Sequence, residues 1–364
     1  MSHLAWIEVE SVRNLAPARI PLGPDPVLVT GANAQGKSSL LEAAYLLATT
    51  RSFRARDPRE AITLGAPFLG VSGGLCEPEK SPLVLRFALP RERGGRVLRV
   101  GEYDAKLADY LGHLAALVLT GDGIRSIAGS PAERRRFVDR ATAAAEPAHL
   151  AGLGEYRRAL AHRNHLLRAG AADRDIDPWD EVLARTGIEV AARRRRQIAA
   201  WQGDLGAWPG LFPEGGRVAL RYREPGPAGP TAGEKMTLLE RLQRARERER
   251  RLGATLVGPH RDDLDIDLDG QDLLQIGSSG QVRAALGALV LAMARQVRAS
   301  RGTTPLLLLD DADTDLDPDR CAAQLDAAGR EAQLIAASSK PHLPVPEGFR
   351  RLHVTNGTVE KQTP

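Results

Sequence analysis

The stretch that decides the fold is Gly31-Ala32-Asn33-Ala34-Gln35-Gly36-Lys37-Ser38, which matches the phosphate-binding template G-x-x-x-x-G-K-[ST]. The apolar residues 26–30 before it predict a strand, and residues 38–49 after it predict a helix. A P-loop requires this order of strand, loop and helix. Chance is a poor explanation, because the chain has only six lysines and one falls at the template position. The segment therefore predicts a nucleotide site.

The chemistry expected of this loop is electrostatic. Glycines allow backbone N–H groups to close around phosphates, and the N-terminus of the following helix adds positive potential. Lys37 is expected to neutralise the β- and γ-phosphates of ATP during catalysis, and the Ser38 hydroxyl to coordinate Mg²⁺. The predicted nucleotide contacts in this loop are Gly31, Ala32, Asn33, Ala34, Gln35, Gly36, Lys37, Ser38 and Ser39.

A second phosphate-handling motif lies near the other end of the chain. The run Pro305-Leu306-Leu307-Leu308-Leu309 is typical of a strand buried on both faces of a parallel sheet, and Asp310-Asp311 follows it. In an ATPase, Asp310 would hold Mg²⁺ as a Walker B acid, and Asp311 would orient or deprotonate the attacking water. The alternative is a solvated acidic turn, because acids recur at every second position from 313 to 319.

The third motif is Gly277-Ser278-Ser279-Gly280-Gln281, followed by an alanine-rich helical pattern over residues 282–298. Such a cluster is usually only a helix N-cap. Its place just upstream of the Walker B strand is where ABC-type ATPases carry the motif that grips ATP from the opposite subunit. Ser278, Ser279, Gly280 and Gln281 are therefore expected to contact a partner's ATP, which predicts an ATP-dependent homodimer.

Together with further segments, these motifs make the chain similar to a known family. The segments are Asn33 to Arg54, GSPAERRRFVDR from Gly129, YRRALAHRNHLL from Tyr156, GPHRDDL from Gly258, and LLLLDDADTDLD through Asp317. The chain resembles the RecF family of bacterial DNA repair proteins, within the SMC and ABC-type head-domain ATPases. It departs from the family pattern at Ala32, at Ala34, where a glycine is usual, and at Ser279, where glutamine is usual.

The resemblance implies a cytoplasmic, nucleoid-associated protein that dimerises with ATP on double-stranded DNA at gaps, at junctions with single strands and at stalled replication forks. It implies weak, DNA-dependent hydrolysis of ATP to ADP and phosphate, which would reset the clamp. By the same analogy, the partners are the mediators RecR and RecO, and the outcome is loading of the RecA recombinase.

The spacing of the motifs predicts the domain organisation. Lys37 and Asp310 are 273 positions apart, so the chain must leave the nucleotide domain and return. We expect an α/β ABC-type P-loop ATPase head from residues 1–119 and 210–364, with an inserted α-helical arm at 120–209 and no long coiled coil. Predicted arm helices begin after Ser130, with Pro131 and Glu133 completing the start signal, at about Pro147, and at Asp177-Pro178-Trp179. Residues 224–230 predict an extended connection.

Charge and composition permit nucleic-acid binding without demanding it. The net charge is +4, and aromatic residues make up only 4% of the chain, which disfavours recognition of single strands by base stacking. Arginine clusters in the middle of the chain suggest a track for duplex phosphates, with a solvated helix face as the alternative. The candidate DNA contacts are Arg54, Arg134, Arg135, Arg193, Arg194 and Arg196.

Other signals narrow the class of protein. The sequence shows neither a signal-peptide pattern nor a run of about eighteen apolar residues, so we expect no membrane partner. Cys76 and Cys321 have no metal-ligand spacing and suit a reducing compartment. One alternative is an ABC transport ATPase subunit with no DNA role, which the long insertion and GPHRDD segment disfavour. A P-loop kinase, the other alternative, leaves GSSGQ unexplained.

Overall fold

The computed structural model describes residues 2–77, 80–92, 94–212, 216–225 and 236–361. The chain forms two compact units. The first, called the head unit, comprises residues 1–124, 207–215 and 278–364. The second, called the arm unit, comprises residues 125–206 and 216–277.

The described residues form fifteen strands. In chain order these are β1 (His3–Glu10), β2 (Ala18–Pro21), β3 (Val27–Thr30), β4 (Phe68–Cys76), β5 (Leu83–Pro90), β6 (Val97–Val100), β7 (Tyr103–Asp104), β8 (Ala116–Leu119), β9 (Val218–Arg223), β10 (Asp263–Leu268), β11 (Gln271–Asp272), β12 (Leu306–Leu309), β13 (Gln333–Ser338), β14 (Arg350–Thr355) and β15 (Thr358–Lys361).

Ten α-helices occur in the same ranges. They are α1 (Lys37–Thr49), α2 (Leu107–Tyr110), α3 (Gly121–Ala128), α4 (Pro131–Ala145), α5 (Ala148–Arg168), α6 (Asp173–Asp204), α7 (Leu238–Leu252), α8 (Leu273–Ile276), α9 (Ser279–Arg301) and α10 (Pro318–Glu331). The predicted P-loop helix is thus α1, and the predicted helix after GSSGQ is α9.

Two six-stranded sheets build the head unit. One has the order β15-β14-β3-β13-β12-β8 and is parallel except at β15. Its strands β3, β12 and β13 are buried along their whole length, as expected for a parallel sheet covered on both faces. The other sheet is antiparallel, with the order β2-β1-β4-β5-β6-β7.

Helix α1 lies between the two sheets of the head unit. It contacts β4 and β5 of the antiparallel sheet and β8 and β13 of the parallel sheet. Its buried leucines, Leu40, Leu41, Leu46 and Leu47, belong to one hydrophobic core with side chains from both sheets. Because the P-loop leads directly into this helix, the packing of α1 against both sheets fixes the position of the nucleotide loop.

The arm unit combines helices with a small antiparallel sheet of order β11-β10-β9. Helices α5 and α6 pack along each other, and α7 packs on both of them. The interior contains charged as well as apolar groups: the fully buried Arg163 pairs with Asp180, and its Nη1 lies 2.7 Å from Glu249 Oε2. These complementary charges tie α5, α6 and α7 together.

The arm helices largely follow the predicted starts. Helix α4 begins after Ser130, whose backbone N donates to Glu133 Oε2 at 2.8 Å, and α5 covers the second predicted helix. Helix α6 differs, because it begins at Asp173 and contains Pro178 in its interior. Ion pairs from Asp173 and Asp177 to Arg246 of α7 hold this first stretch helical despite the hydrogen bond that proline removes.

The compact units divide the chain differently from the predicted domains, by a few residues at 120–124 and 207–209 and by a long segment after them. Residues 216–277 lie in the arm unit, whereas the prediction counted them with the head. The reason is pairing and packing at long range: β9 and β10 pair with each other, β9 packs on α6, and α7 packs on α5 and α6. Within the predicted connection at 224–230, residues 226–230 lie outside the described residues.

Candidate nucleotide site and arginine clusters

The P-loop follows β3 directly and depends on two glycines. Gly31 has a φ of 146°, and a Cβ at this position would lie 2.3 Å from the Val354 carbonyl oxygen. Gly36 has a φ of 120°, where a side chain would be strained. The backbone therefore approaches β14 closely and turns into α1 in a way that other residues do not allow.

Lys37 is folded back across the loop. Its Nζ donates to the carbonyl oxygens of Gly31 and Ala32 at 2.8 and 2.9 Å, and only 6% of the residue is exposed. Burial lowers the pKa of this ammonium, and the carboxylates of Asp311 and Asp310 oppose that shift. The positive charge is thus concentrated inside the loop.

The two predicted metal ligands are in contact. Ser38 Oγ donates to Asp310 Oδ1 at 2.9 Å, although 272 positions separate these residues. The parallel sheet produces this contact, because β3 and β12 flank β13 and end at the same edge. Burial raises the pKa of the Asp310 carboxyl, while the hydrogen bond from Ser38 opposes the increase.

A cavity of about 830 Å³ opens beside the loop within the head unit. Its lining includes Asn33, Ala34, Gly36, Lys37, Ser38, Ser39 and Asp311 from the predicted site. This volume is in the range of small-molecule and cofactor pockets. Of the other predicted loop contacts, Gln35 is turned toward β14 and β15, where its Oε1 accepts from the backbone N of Asn356.

Sequence reasoning missed the part of the cavity lining that lies outside the motifs, which includes Arg13, Asn14, Arg59, Ile62 and Leu64. These residues come from the connections between β1 and β2 and between α1 and β4, where no motif marks them. Leu64 is 95% exposed, so an apolar side chain stands at the mouth of a charged cavity.

Glu42 was also missed, although it organises the cavity from beneath. Its carboxylate is fully buried in α1 and accepts from Arg13 Nε at 2.9 Å and Nη2 at 3.0 Å. Arg54, a predicted DNA contact, also lies 3.6 Å from Glu42 and lines the cavity. A buried acid on the P-loop helix therefore orients two arginines at the nucleotide site.

The GSSGQ segment forms the start of α9. Ser278 is the N-cap: its Oγ accepts from the Gln281 backbone N at 3.3 Å, and its own N donates to Gln281 Oε1 at 2.9 Å. Ser278 and Ser279 are exposed. Ser278 therefore caps α9. The start of this helix also offers backbone N–H groups at its positive end.

Two arginines predicted to bind DNA are engaged inside the arm unit instead. Arg134 forms a two-bond ion pair with Asp263, both bonds at 2.7 Å. Arg194 pairs with Asp139 through Nε and Nη2 and donates to the Pro259 carbonyl at 2.6 Å. Burial lowers the pKa of Arg194, but Asp139 outweighs burial and raises it overall. Because both guanidinium groups are nearly enclosed, their contacts do not fit the predicted role on DNA.

The other predicted arginines of the arm unit retain more freedom. Arg135 Nη1 donates to the Asp262 carbonyl, while Arg193 and Arg196 lie near Glu146 at 3.6 and 3.2 Å. The Arg196 side chain is 60% exposed. Within the run at 193–196, Arg194 is therefore buried in an ion pair, Arg193 is only 19% exposed, and Arg195 and Arg196 face solvent.

The GPHRDD segment is part of the framework of the arm unit. His260 Nε2 donates to the Thr255 carbonyl at 2.9 Å, so its Nδ1 accepts from the Tyr156 hydroxyl at 2.6 Å. Burial lowers the pKa of His260 to about 4, which keeps the ring neutral at pH 7. Gly258 has a φ of 123°, and a Cβ there would lie 2.7 Å from the Tyr156 hydroxyl.

The sheet order, the P-loop, the contact between Ser38 and Asp310 and the capped α9 together define the fold of an ABC-type ATPase head. A solved Smc head domain from Pyrococcus yayanosii has this fold, with a TM-score of 0.61 at 13% identity over 100% of this chain and 98% of that one. Within the described ranges, no helix combines the length and the hydropathy needed to cross a bilayer.

Curated relatives identify the family. The DNA replication and repair protein RecF of Herpetosiphon aurantiacus is 31% identical over 98% of this chain and 99% of its own. That of Anaeromyxobacter sp. strain K is 37% identical over 86% of each chain. The chain belongs to the RecF family. A solved recombination mediator protein RecF-ATP in the RecFOR pathway superposes with a TM-score of 0.83 at 26% identity, over 100% of this chain and 98% of that one. No family model matches the chain.

Proposed function

We propose that this chain is an ATP-dependent dimeric clamp that binds double-stranded DNA during recombinational repair and the maintenance of replication forks. The observation that carries the proposal is the contact between Ser38 and Asp310, which joins the P-loop to the Walker B strand in a chain of the RecF family. This family favours a DNA clamp over a transport subunit or a small-molecule kinase.

The residues present fit ATP. Lys37 neutralises phosphate charge, and its two hydrogen bonds to loop carbonyls are ones that phosphate oxygens can replace. The N–H groups of the loop and the first turn of α1 supply further donors. The cavity lining outside the loop, which includes Ile62 and Arg59, would supply apolar and cationic groups for the rest of the nucleotide. The solved RecF-ATP relative supports the same cofactor.

The residues also fit Mg²⁺. A hydroxyl and a carboxylate at 2.9 Å are oxygen ligands of the kind that Mg²⁺ prefers, and both stand beside Lys37. When bound, the ion would supply positive charge that neutralises the phosphate oxygens. Ser38 and Asp310 would hold it, and the raised pKa of Asp310 reflects a buried acid that a cation would favour in its ionised form.

Hydrolysis is assigned to Asp311. Its carboxylate is exposed and lines the cavity, so it can accept the proton of an attacking water or orient that water. We infer slow turnover that resets the clamp, as the family suggests. Asp310 and Lys37 support the same step through charge.

The exposure of Ser278 and Ser279 at the start of α9 supports the proposed dimer. Ser278, Ser279, Gly280 and Gln281 would donate to the γ-phosphate held by the partner's P-loop, so that two ATP molecules lie in the interface. The clamp would close on ATP binding. The mediators RecR and RecO would act with it in loading RecA, a role that rests on the family and on the pathway named for the solved relative.

Duplex binding is assigned to backbone phosphates. Arg135, Arg193 and Arg196 remain candidates, whereas Arg134 and Arg194 are left out because they are held in ion pairs. Arg54 is assigned to the nucleotide cavity that it lines. Contacts to phosphate predict an affinity that falls steeply with salt.

The substitution Lys37→Ala tests the nucleotide site. Loss of the buried charge should weaken ATP binding by at least about tenfold, since one charge-assisted contact contributes about 1.5–3 kcal/mol. Equilibrium binding of ATP measures this, with Lys80→Ala as a control that removes an exposed lysine outside the cavity lining. Unchanged affinity in the Lys37 variant would remove the P-loop assignment.

A further inference from the structure

Arg283 is a fully buried cation that the proposed function does not use. It lies in the second turn of α9, five positions after the cap residue Ser278, and 0% of it is exposed. Its Nη2 donates to the backbone carbonyl oxygen of Asp311 at 2.6 Å. A guanidinium from the helix that begins at GSSGQ therefore holds the residue assigned to hydrolysis.

Two further nitrogens of this guanidinium are left without a bond. Nε and Nη1 of Arg283 are buried and have no hydrogen-bond partner among the residues that the structure describes. Buried donors without partners are costly and uncommon in folded proteins. Burial also lowers the pKa of Arg283, against the charges of Asp315, Asp311 and Asp313. An apolar side chain of similar size would avoid these costs, so stability alone does not explain an arginine here.

The loop at 311–317, which Arg283 contacts, is conformationally constrained. Asp311 and Asp315 have positive φ values of 49° and 60°. The Asp315 carbonyl comes so close to Gly280 that a Cβ on that glycine would lie 2.7 Å away. Asp313 pairs with Lys340 at 3.2 Å. The loop at 311–317 thus rests on the first turns of α9 through Gly280 and Arg283.

We propose that Arg283 is a positioning residue for ATP hydrolysis, fixing the Asp311 backbone so that its carboxylate faces the cavity and linking it to the start of α9. This inference rests on the proposed function. Ser278 and Gly280, which would bind the partner's ATP, stand on the same helix as Arg283. ATP bound in the partner's site would therefore influence the position of Asp311 in this chain's own site.

Arg283→Met and Arg283→Lys test the assignment in the full chain. For each variant we would measure the ATP dissociation constant, the Tm, and kcat and KM for ATP with duplex DNA present. Displacing the acid should lower kcat of the methionine variant by about 10- to 100-fold, with KM and ATP affinity within about twofold of the unchanged chain. Its Tm should be unchanged or higher. Lysine should restore part of kcat.

The matched control is Arg295→Met, on the same helix, where the guanidinium stacks over Trp208 and pairs with Glu331. It should keep its kcat. Unchanged kcat in Arg283→Met would overturn the inference, and so would parallel losses of kcat and Tm in both Arg283 variants, which would indicate a structural role. Failure of the proposed function would give a different result, because the Lys37→Ala variant would then hydrolyse ATP as fast as the unchanged chain.

Discussion

Ala34 occupies the one position in the P-loop where this chain has a non-glycine residue with a left-handed backbone. Its φ is 64°, and the neighbouring loop residues with positive φ, Gly31 and Gly36, are glycines. Glycine, which is usual in the family at this position, adopts such a conformation without strain. The loop keeps its conformation although alanine disfavours it by about 1–2 kcal/mol.

Ala34→Gly should stabilise the chain. The substitution removes the strain of a left-handed alanine and also raises the conformational entropy of the unfolded chain. The first effect is the larger, so the free energy of unfolding should rise by about 0.5–1 kcal/mol. Urea unfolding without nucleotide measures it. Ala32→Gly is the control, because Ala32 lacks a positive φ and gains only unfolded-state entropy, so this variant should be equally or less stable. A destabilised Ala34→Gly chain would contradict the strain.

At this scale, the sequence predicts residues that carry motifs and misses those defined by their neighbours. Lys37, Ser38 and Asp310 are predicted site residues because they stand in phosphate-binding motifs, and the structure brings Ser38 and Asp310 into contact. No motif marks Glu42 or Arg283, because the role of a buried acid or arginine depends on residues distant in sequence. Glu42 accepts from Arg13, 29 positions away, and Arg283 donates to Asp311.

At the scale of elements, helix α6 shows why a run of arginines is a poor guide to a binding surface. Arg194 and Arg196 are two positions apart and therefore project on different sides of the helix. Arg194 is buried against Asp139 of α4, whereas Arg196 is solvent-facing. Helical periodicity predicts that arginines in such a run face different directions. Which of them is buried depends on Asp139, which lies on another helix.

Arg194→Gln and Arg196→Gln should therefore differ sharply in stability. The first leaves Asp139 buried without its main partner and should cost about 3–5 kcal/mol. The second removes an exposed pair and should cost less than about 1 kcal/mol. Urea unfolding of both variants checks this. Similar losses in the two would mean that Arg194 is not the structural member of the run.

The same scale explains the changed domain limits. Strands β9 and β10 and helix α7 follow the predicted arm in sequence, yet they fold with it. Their partners are far along the chain: Arg134 of α4 reaches Asp263 of β10, 129 positions away. Local patterns predicted the helix starts well, because caps are local, whereas the membership of a strand in a unit depends on pairing at long range.

At the scale of the whole molecule, the ordering of three motifs was enough to predict an ABC-type head with a helical insertion. The motifs lie in segments far apart in sequence that the parallel sheet and α9 bring into one unit. One chain supplies a P-loop with its Walker B acid and also an exposed α9 start. These are the two surfaces that the proposed dimer would bring together around two nucleotides.

The most direct test of the central claim is the mass of the purified chain by light scattering, measured without nucleotide, with ATP and Mg²⁺, and with duplex DNA added. The clamp predicts 39.2 kDa alone and twice that mass with ATP, with DNA retained only by the dimer. Ser278→Arg should bind ATP normally and remain a monomer, because a bulky cation blocks the α9 surface. An ATP-bound monomer that ignores DNA, or normal dimers of Ser278→Arg, would contradict the account.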